Sequence, residues 1–201
     1  MKQIILATGN KHKVIEIKDI LKDLPVEIKP MTDFEKYPDV VEDGQTLQDN
    51  AIKKATEVAK YFNSWAIADD TGLEVNYLKG APGVYSSRYA GVNCSYNDNN
   101  NKLLKALEGI KMENRQAQFR CVIALSDNCG NIKILAEGKI KGYIATDLCG
   151  ITGFGYDPLF YVPKYEKTFA QLGEEIKNKI SHRAIALQNF KEKFLELNNN
   201  L

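Results

Sequence analysis

Apolar positions change their spacing several times along this chain, and each change marks an element. Residues 3–7 form a short apolar run that reads as a buried strand. Val14, Ile17, Ile20, Leu21 and Leu24 then recur at helical spacing, which predicts a helix that begins soon after Asn10 and ends near Pro25. Thr46-Leu47-Gln48-Asp49 has the form of a capping box, with Thr46 as N-cap, and behind it Leu47, Ala51, Ala55, Val58 and Phe62 make one apolar face. Residues 65–68 read as a short buried strand running into Asp69-Asp70-Thr71-Gly72, an acidic turn. Residues 118–126 and 132–144 look like a pair of longer strands joined by a turn at 128–131, and residues 159–162 like another short strand. Leu187, Phe190, Phe194 and Leu197 mark a last helix, with Ser181 at its N-cap. Strands alternating with helices predict an α/β or α+β fold. There is no internal repeat and no long linker, and the one low-complexity tract is Asn198-Asn199-Asn200.

Composition adds limits rather than detail. The 201 residues suffice for one sizeable core, so a single domain over 1–201 is expected. Hydrophobic residues at 44% and charged residues at 26% are the proportions of a globular protein. No apolar stretch approaches the ~20 residues that span a bilayer, and Thr8-Gly9-Asn10-Lys11 cuts the N-terminal run too short for a signal peptide, which leads to an expected cytoplasmic location and no membrane partner. A net charge of +1 offers no footprint for nucleic acid, although a local basic pocket could still hold a small anion. Cys94, Cys121, Cys129 and Cys149 form no C-x-x-C pair, and with His12 and His182 as the only histidines there is no zinc-ligand spacing.

Four constellations could carry chemistry. Thr8, Gly9 and Asn10 join a strand to a helix, a geometry that offers backbone N–H groups to an anion. Lys11, His12 and Lys13 follow in the first helical turn, where the helix dipole prefers acids, so the cations make sense if a phosphate lies there. An ordinary turn with solvated lysines is the alternative, and no Walker A loop is present. Asp69 and Asp70 are stronger: two adjacent carboxylates at a buried strand end repel one another, a cost that a divalent cation removes. A simple capping turn is the competing reading. Glu42 and Asp43 before Gly44 form a second acidic cluster, either a further metal ligand or a solvated loop. In Gly153-Phe154-Gly155-Tyr156-Asp157-Pro158, ring faces interleaved with glycines suit base stacking, or else aromatic packing in a turn. Lys177, His182 and Arg183 put donors suited to a phosphate or a base carbonyl near the start of the last helix, though a lone histidine is more often structural.

Taken in order, ATGN-x-x-K, an acid–Gly segment, NA-x-x-KA, ADD-T-GL, GAPGVYS-x-RYAG, GFGYDP-x-F and EEIKNKISHR resemble the inosine/xanthosine triphosphate pyrophosphatase (Ham1-like) family, from Ile4 to about Leu187. The resemblance implies a two-lobed α/β fold, with an extended twisted mixed sheet flanked by helices and an active-site cleft between the lobes. It implies a homodimer that cleaves noncanonical purine nucleoside triphosphates (ITP, dITP, XTP) between the α and β phosphates, with Mg2+, or Mn2+ in its place. On this chain Thr8, Gly9, Asn10, Lys11, His12, Lys13 and Lys53 would hold the triphosphate. Asp70 would be general base and metal ligand, Asp69 its support, and Thr71 a substrate contact. Phe154, Gly155, Tyr156, Asp157, Lys177, His182 and Arg183 would form the nucleoside pocket. Val41 stands where family members carry an acid, three residues before Gly44, which shifts the second metal ligand to Glu42. Thr71 replaces the more usual Ser and keeps the hydroxyl. A Maf-like nucleotide pyrophosphatase is the rival within enzymes, disfavoured by the SHR and GFGYDP segments. A non-catalytic nucleotide-binding regulator is the rival outside them, disfavoured by intact Asp69, Asp70, Lys13 and Lys53.

Overall fold

The computed structural model describes residues 2–199; Met1, Asn200 and Leu201, and with them the end of the Asn198-Asn199-Asn200 tract, lie outside the described residues. Strand β1 (Lys2–Leu6) leads into helix α1 (Lys11–Leu21). Asn10 caps that helix, its Oδ1 accepting from the backbone N–H of His12 at 3.0 Å and of Lys13 at 3.4 Å. β2 (Val26–Pro30) returns parallel to β1, with Ile28 beside Ile4. α2 (Leu47–Phe62) begins at the expected capping box: Thr46 Oγ1 accepts from the Asp49 N–H at 3.1 Å, and Asp49 Oδ2 accepts from the Thr46 N–H at 3.0 Å. It ends where Asn63 turns left-handed at φ 46°.

β3 (Trp65–Val75) pairs parallel with β1, and the short β4 (Pro82–Gly83) pairs antiparallel with β3. α3 (Tyr96–Ala106), which the apolar spacing does not announce, opens on a second capping box of Ser95 and Asp98. β5 (Gln116–Ser126) and β6 (Ile132–Ile144) are the expected long pair. Their turn is closed by Asp127, whose Oδ1 accepts from the N–H groups of Cys129 and Asn131, both at 2.9 Å. β7 (Phe160–Val162), β8 (Lys167–Thr168), α4 (Phe169–Leu172), α5 (Glu174–Ile180) and α6 (His182–Asn199) complete the chain. The strand order is β2-β1-β3-β5-β6-β7-β8, parallel among β2, β1 and β3 and antiparallel among β6, β7 and β8, which makes the sheet mixed and the fold α/β.

Contacts divide the chain into two compact units, and the division falls inside β3, β5, β6 and α6 rather than in loops. The first unit takes the chain up to Asp70, then Cys121–Gly138, then Arg183 onward. Its core joins Ile4 and Leu6 of β1, Ile17 and Leu21 of α1, Ile67 of β3, Ile123 and Leu125 of β5, and Leu187, Phe190 and Phe194 of α6. The second comprises Thr71–Arg120 and Lys139–His182, with a core of Leu73, Leu103, Phe119, Tyr156, Phe160 and Phe169. Each such side chain contributes about 1.5–3 kcal/mol on leaving water.

One expectation is overturned. Asp69 and Asp70 do not form a turn at a strand end: they lie in the middle of β3, which continues through Thr71 and Gly72 to Val75. Gly72 is not among the residues at positive φ, and the strand runs on through it. Successive strand residues point to opposite faces, so the two carboxylates are held apart by the pleat and need no shared metal to relieve repulsion. Asp69 shares its face with Ile67, which packs among the residues of α1 and α6.

Candidate active site

Two side-chain clusters of the first unit are built on the two aspartates. Around Asp69, Lys13 Nζ lies 3.0 Å from Oδ2, and Arg183 donates to the same oxygen from both Nε and Nη2, at 3.2 Å each. The remaining Arg183 Nη1 donates to Glu16 Oε2. Glu16 stands three residues after Lys13 in α1, which places both on one helix face. Asp69 and Arg183 are each only 1% exposed. Burial alone would raise the Asp69 carboxyl, but the cations of Lys13, Arg183 and Lys54 outweigh it and hold the group far below the ordinary carboxylate range. Burial likewise opposes the Arg183 charge, and Asp69 and Glu16 more than restore it.

Around Asp70 the partners come from α2 and the loop before it. Asn50 Nδ2 donates to Asp70 Oδ2 at 3.1 Å, while Asn50 Oδ1 accepts from the Gly44 N–H at 2.8 Å. A Cβ on Gly44 would sit 2.6 Å from that Oδ1, so the glycine is what lets the acidic loop close on α2. Lys54 Nζ then reaches Glu42 Oε1 at 2.6 Å and Asp70 Oδ1 at 3.4 Å, linking the two carboxylates through one ammonium. Burial raises the Asp70 carboxyl above its ordinary value against the pull of Lys54 and Lys13, which suits a proton acceptor. For Lys54 burial opposes the charge, and Asp70 and Glu42 outweigh it and raise its pKa.

Lys53 goes elsewhere. Its Nζ pairs with Asp43 Oδ1 at 2.6 Å, on the solvent side of α2. The buried cation facing Asp70 is Lys54, and the lysine of NA-x-x-KA, counted from Asn50, is that residue. Asn50 and Glu16 are the other members of these clusters that sequence reasoning did not single out; Asn50 opens the same motif, whereas nothing in the local pattern marks Glu16.

At the N-terminal turn Thr8 Oγ1 accepts from the Asn10 N–H at 3.2 Å. Lys11 and His12 are exposed, and Lys13 is half-buried against Asp69. A Cβ at Gly9 would meet nothing within 4 Å, so the fold does not demand glycine there; a ligand drawn close to the backbone would. Gly9→Ala is therefore expected to leave the melting temperature unchanged and to raise KM for a phosphate-bearing substrate about tenfold, measured by thermal melting and steady-state kinetics.

In the second unit, Asp157 organises the glycine–aromatic loop. Its Oδ2 accepts from the Phe154 N–H at 2.8 Å and from Lys177 Nζ at 2.7 Å, and a Cβ on Gly153, which lies at φ +79°, would collide with that carboxylate. Lys177 Nζ also lies 4.5 Å from the centre of the half-buried Phe154 ring. Asn100 Nδ2 donates to Gly155 O at 3.0 Å, and the buried Tyr156 hydroxyl donates to Ser86 O at 2.9 Å. Tyr156 thus belongs to the core, and Phe154 is the ring that keeps some exposure. His182 stacks on Phe119 with centroids 4.5 Å apart. His182 and Arg183 diverge because neighbouring helix residues project about 100° apart: one stacks on Phe119, the other joins Asp69. Thr71, next to Asp70 in β3, is half-buried.

Comparison with known proteins places the same segments in a wider group. The Ham1 family model matches residues 4–193. A dITP/XTP pyrophosphatase from Rhodopirellula baltica is 46% identical over 197 residues, covering 98% of this chain and 95% of that protein. One from Clostridium perfringens is 50% identical over 198 residues, covering 96% and 97%. The structure of a HAM1 protein from Coxiella burnetii superposes with a TM-score of 0.89 at 42% identity, covering 98% of this chain and all of that one. The Staphylococcus aureus Ham1 protein gives 0.85 at 44% identity, covering 97% and 98%.

Proposed function

The chain belongs to the Ham1 family, and on that premise we propose that it hydrolyses noncanonical purine nucleoside triphosphates, ITP, dITP and XTP, to the monophosphate and pyrophosphate, clearing them from the nucleotide pool. The observation that carries the chemistry is the Glu42–Lys54–Asp70 arrangement: two carboxylates converging on one cation, one of them with a raised pKa. Hard oxygen donors already arranged about a positive charge fit Mg2+, or Mn2+ in its place, so Glu42 and Asp70 are the residues that would hold it. The bound ion supplies neutralisation of phosphate oxygens and a more acidic water.

Asp70 takes the proton of the water that attacks the α-phosphorus, and the α–β bridging oxygen leaves with pyrophosphate. Asn50 fixes the orientation of the carboxylate. Lys13 and Lys54 offset the charge that grows on the departing group, assisted by the backbone N–H of Gly9. Phe154 offers a ring face to the base, with Asp157 and Lys177 holding its loop in shape. The His182 ring supplies an N–H for the 6-oxo group of hypoxanthine or xanthine, and the 6-amino group of adenine would set donor against donor. The family resemblance extends the proposal to a cytoplasmic homodimer, and among the described residues no helix is long and apolar enough to cross a membrane.

A pyrophosphate-release screen over ITP, dITP, XTP, GTP and ATP tests the reading. Expected are Mg2+-dependent release that EDTA abolishes, and kcat/KM at least about 100-fold higher for ITP than for ATP. Equal values for ITP and ATP would refute the 6-oxo argument. The lysines separate as well: Lys54→Gln should lower kcat about 100-fold, while Lys53→Gln, which removes an exposed pair with Asp43, should change it less than about threefold. The opposite ranking would restore the role to Lys53.

A further inference from the structure

We propose that Asn100 of α3 is a positioning residue for the purine end of the substrate: by holding the Gly155 carbonyl it fixes the Phe154 ring on which the base stacks. The inference rests on the reading of Phe154 as the stacking ring. α3 buries two consecutive asparagines, Asn99 and Asn100, although asparagine is a poor helix former because its amide competes for backbone groups. Each therefore needs a reason. Asn99 has a structural one: its Oδ1 accepts from the Ala90 N–H at 2.7 Å and its Nδ2 donates to Ser87 O at 3.1 Å, which docks residues 87–90 on the helix. Asn100 is different. Its Nδ2 donates to Gly155 O at 3.0 Å, while among the described residues its buried Oδ1 meets no donor. A buried acceptor without a donor costs free energy that a leucine in its place would not. The packing of α3 thus does not call for the amide, and the bond to Gly155 is what remains to account for it.

That bond falls where the backbone most needs it. Gly153 at φ +79° and Gly155 at φ +63° flank Phe154, and glycines give the ring no fixed direction of their own. Phe154 is pinned from both ends instead: its N–H by Asp157 Oδ2 at 2.8 Å, and the next carbonyl by Asn100. Tyr96, one helical turn before Asn100, sets its ring 6.0 Å from that of Phe154 at an interplanar angle of 43°. α3 thereby holds both the backbone of the loop and its ring.

The test uses the two products as inhibitors of ITP hydrolysis by the full chain: IMP, which carries the base, and inorganic pyrophosphate, which does not. Asn100→Leu should raise the IMP inhibition constant and the KM for ITP about tenfold, with kcat and the pyrophosphate inhibition constant within about twofold of the unmodified chain. Its melting temperature should be unchanged or higher, because a buried unpaired acceptor is lost and the half-buried Gly155 carbonyl can turn to water. Should Asn100→Leu not fold, Asn100→Ala carries the same expected inhibition pattern. In a Phe154→Leu background, Asn100→Leu should add less than about twofold to the IMP constant. Unchanged IMP inhibition would overturn the proposal. Equal weakening of both products with a lower melting temperature, the mark of a purely structural residue, would overturn it too. A full tenfold effect in the Phe154→Leu background would give Asn100 its own contact with substrate, which also excludes the positioning role. If Phe154→Leu alone leaves IMP inhibition unchanged, the reading of Phe154 itself falls and the proposal with it, a result that no Asn100 variant enters.

Discussion

Asp70→Asn is expected to lower ITP turnover about a thousandfold while shifting the melting temperature by no more than about 3 °C. The two halves of that expectation have one cause. Burial raises the Asp70 carboxyl, which means that the folded protein holds its negative charge at some cost and favours the neutral form relative to the unfolded chain. An amide of the same shape keeps an oxygen for the Asn50 N–H and avoids the buried charge; Lys54 retains Glu42 at 2.6 Å. Stability is therefore nearly indifferent to the substitution, whereas the proton acceptor and one of two hard oxygen ligands are lost outright. Turnover of ITP near that of the unmodified chain, in a folded variant, would sink the assignment of Asp70 as base.

Asp69→Ala should do the reverse and act mainly on stability, lowering it by about 3–5 kcal/mol. Its carboxylate is the common partner of Lys13 and Arg183, and the alanine leaves a buried guanidinium with Glu16 alone. In a chain of this length a loss of that size lowers the melting temperature by about 10 °C or more. The same residue imposes a pH dependence. Its folded pKa lies below 3.8, the ordinary aspartate value, so between the two values the unfolded state binds more protons. Its stabilisation is complete above about pH 4 and is lost progressively as pH falls below that. Asp69→Asn should accordingly show a flatter dependence of unfolding free energy on pH between about pH 4 and 2, read by chemical denaturation at each pH. A slope equal to that of the unmodified chain would mean that Asp69 is not the group responsible.

Much of the architecture was written in local patterns. Capping boxes, strand alternation and helical spacing depend on residues close in the chain, and α1, α2, β5, β6 and α6 appear where those patterns place them. Family membership was legible for a related reason, since several motifs in fixed order are improbable by chance. α3 escaped because its sequence, Tyr96-Asn97-Asp98-Asn99-Asn100-Asn101, is polar and asparagine-rich, and its packing rests on a few positions such as Leu103.

The site was legible in composition but not in partnership. The sequence alone identified Asp69, Asp70, Lys13 and Glu42 as candidates, because acids at a buried strand and cations at a helix start conflict with local preference and ask for a reason. It could not say that a pleat separates the two aspartates, since strand continuation past Gly72 depends on pairing with β4 and β5, which no local pattern announces. The motif NA-x-x-KA, counted from Asn50, marks Lys54, but only the fold shows that Lys54 reaches Asp70 while the adjacent Lys53 turns to Asp43. Nor could the sequence bring Arg183 to Asp69 across 114 positions, or Glu16 to Arg183 across 167. Local preferences determine which elements form, whereas the pairing of buried charges is decided only when the chain closes and each must find a partner or remain out of water unpaired.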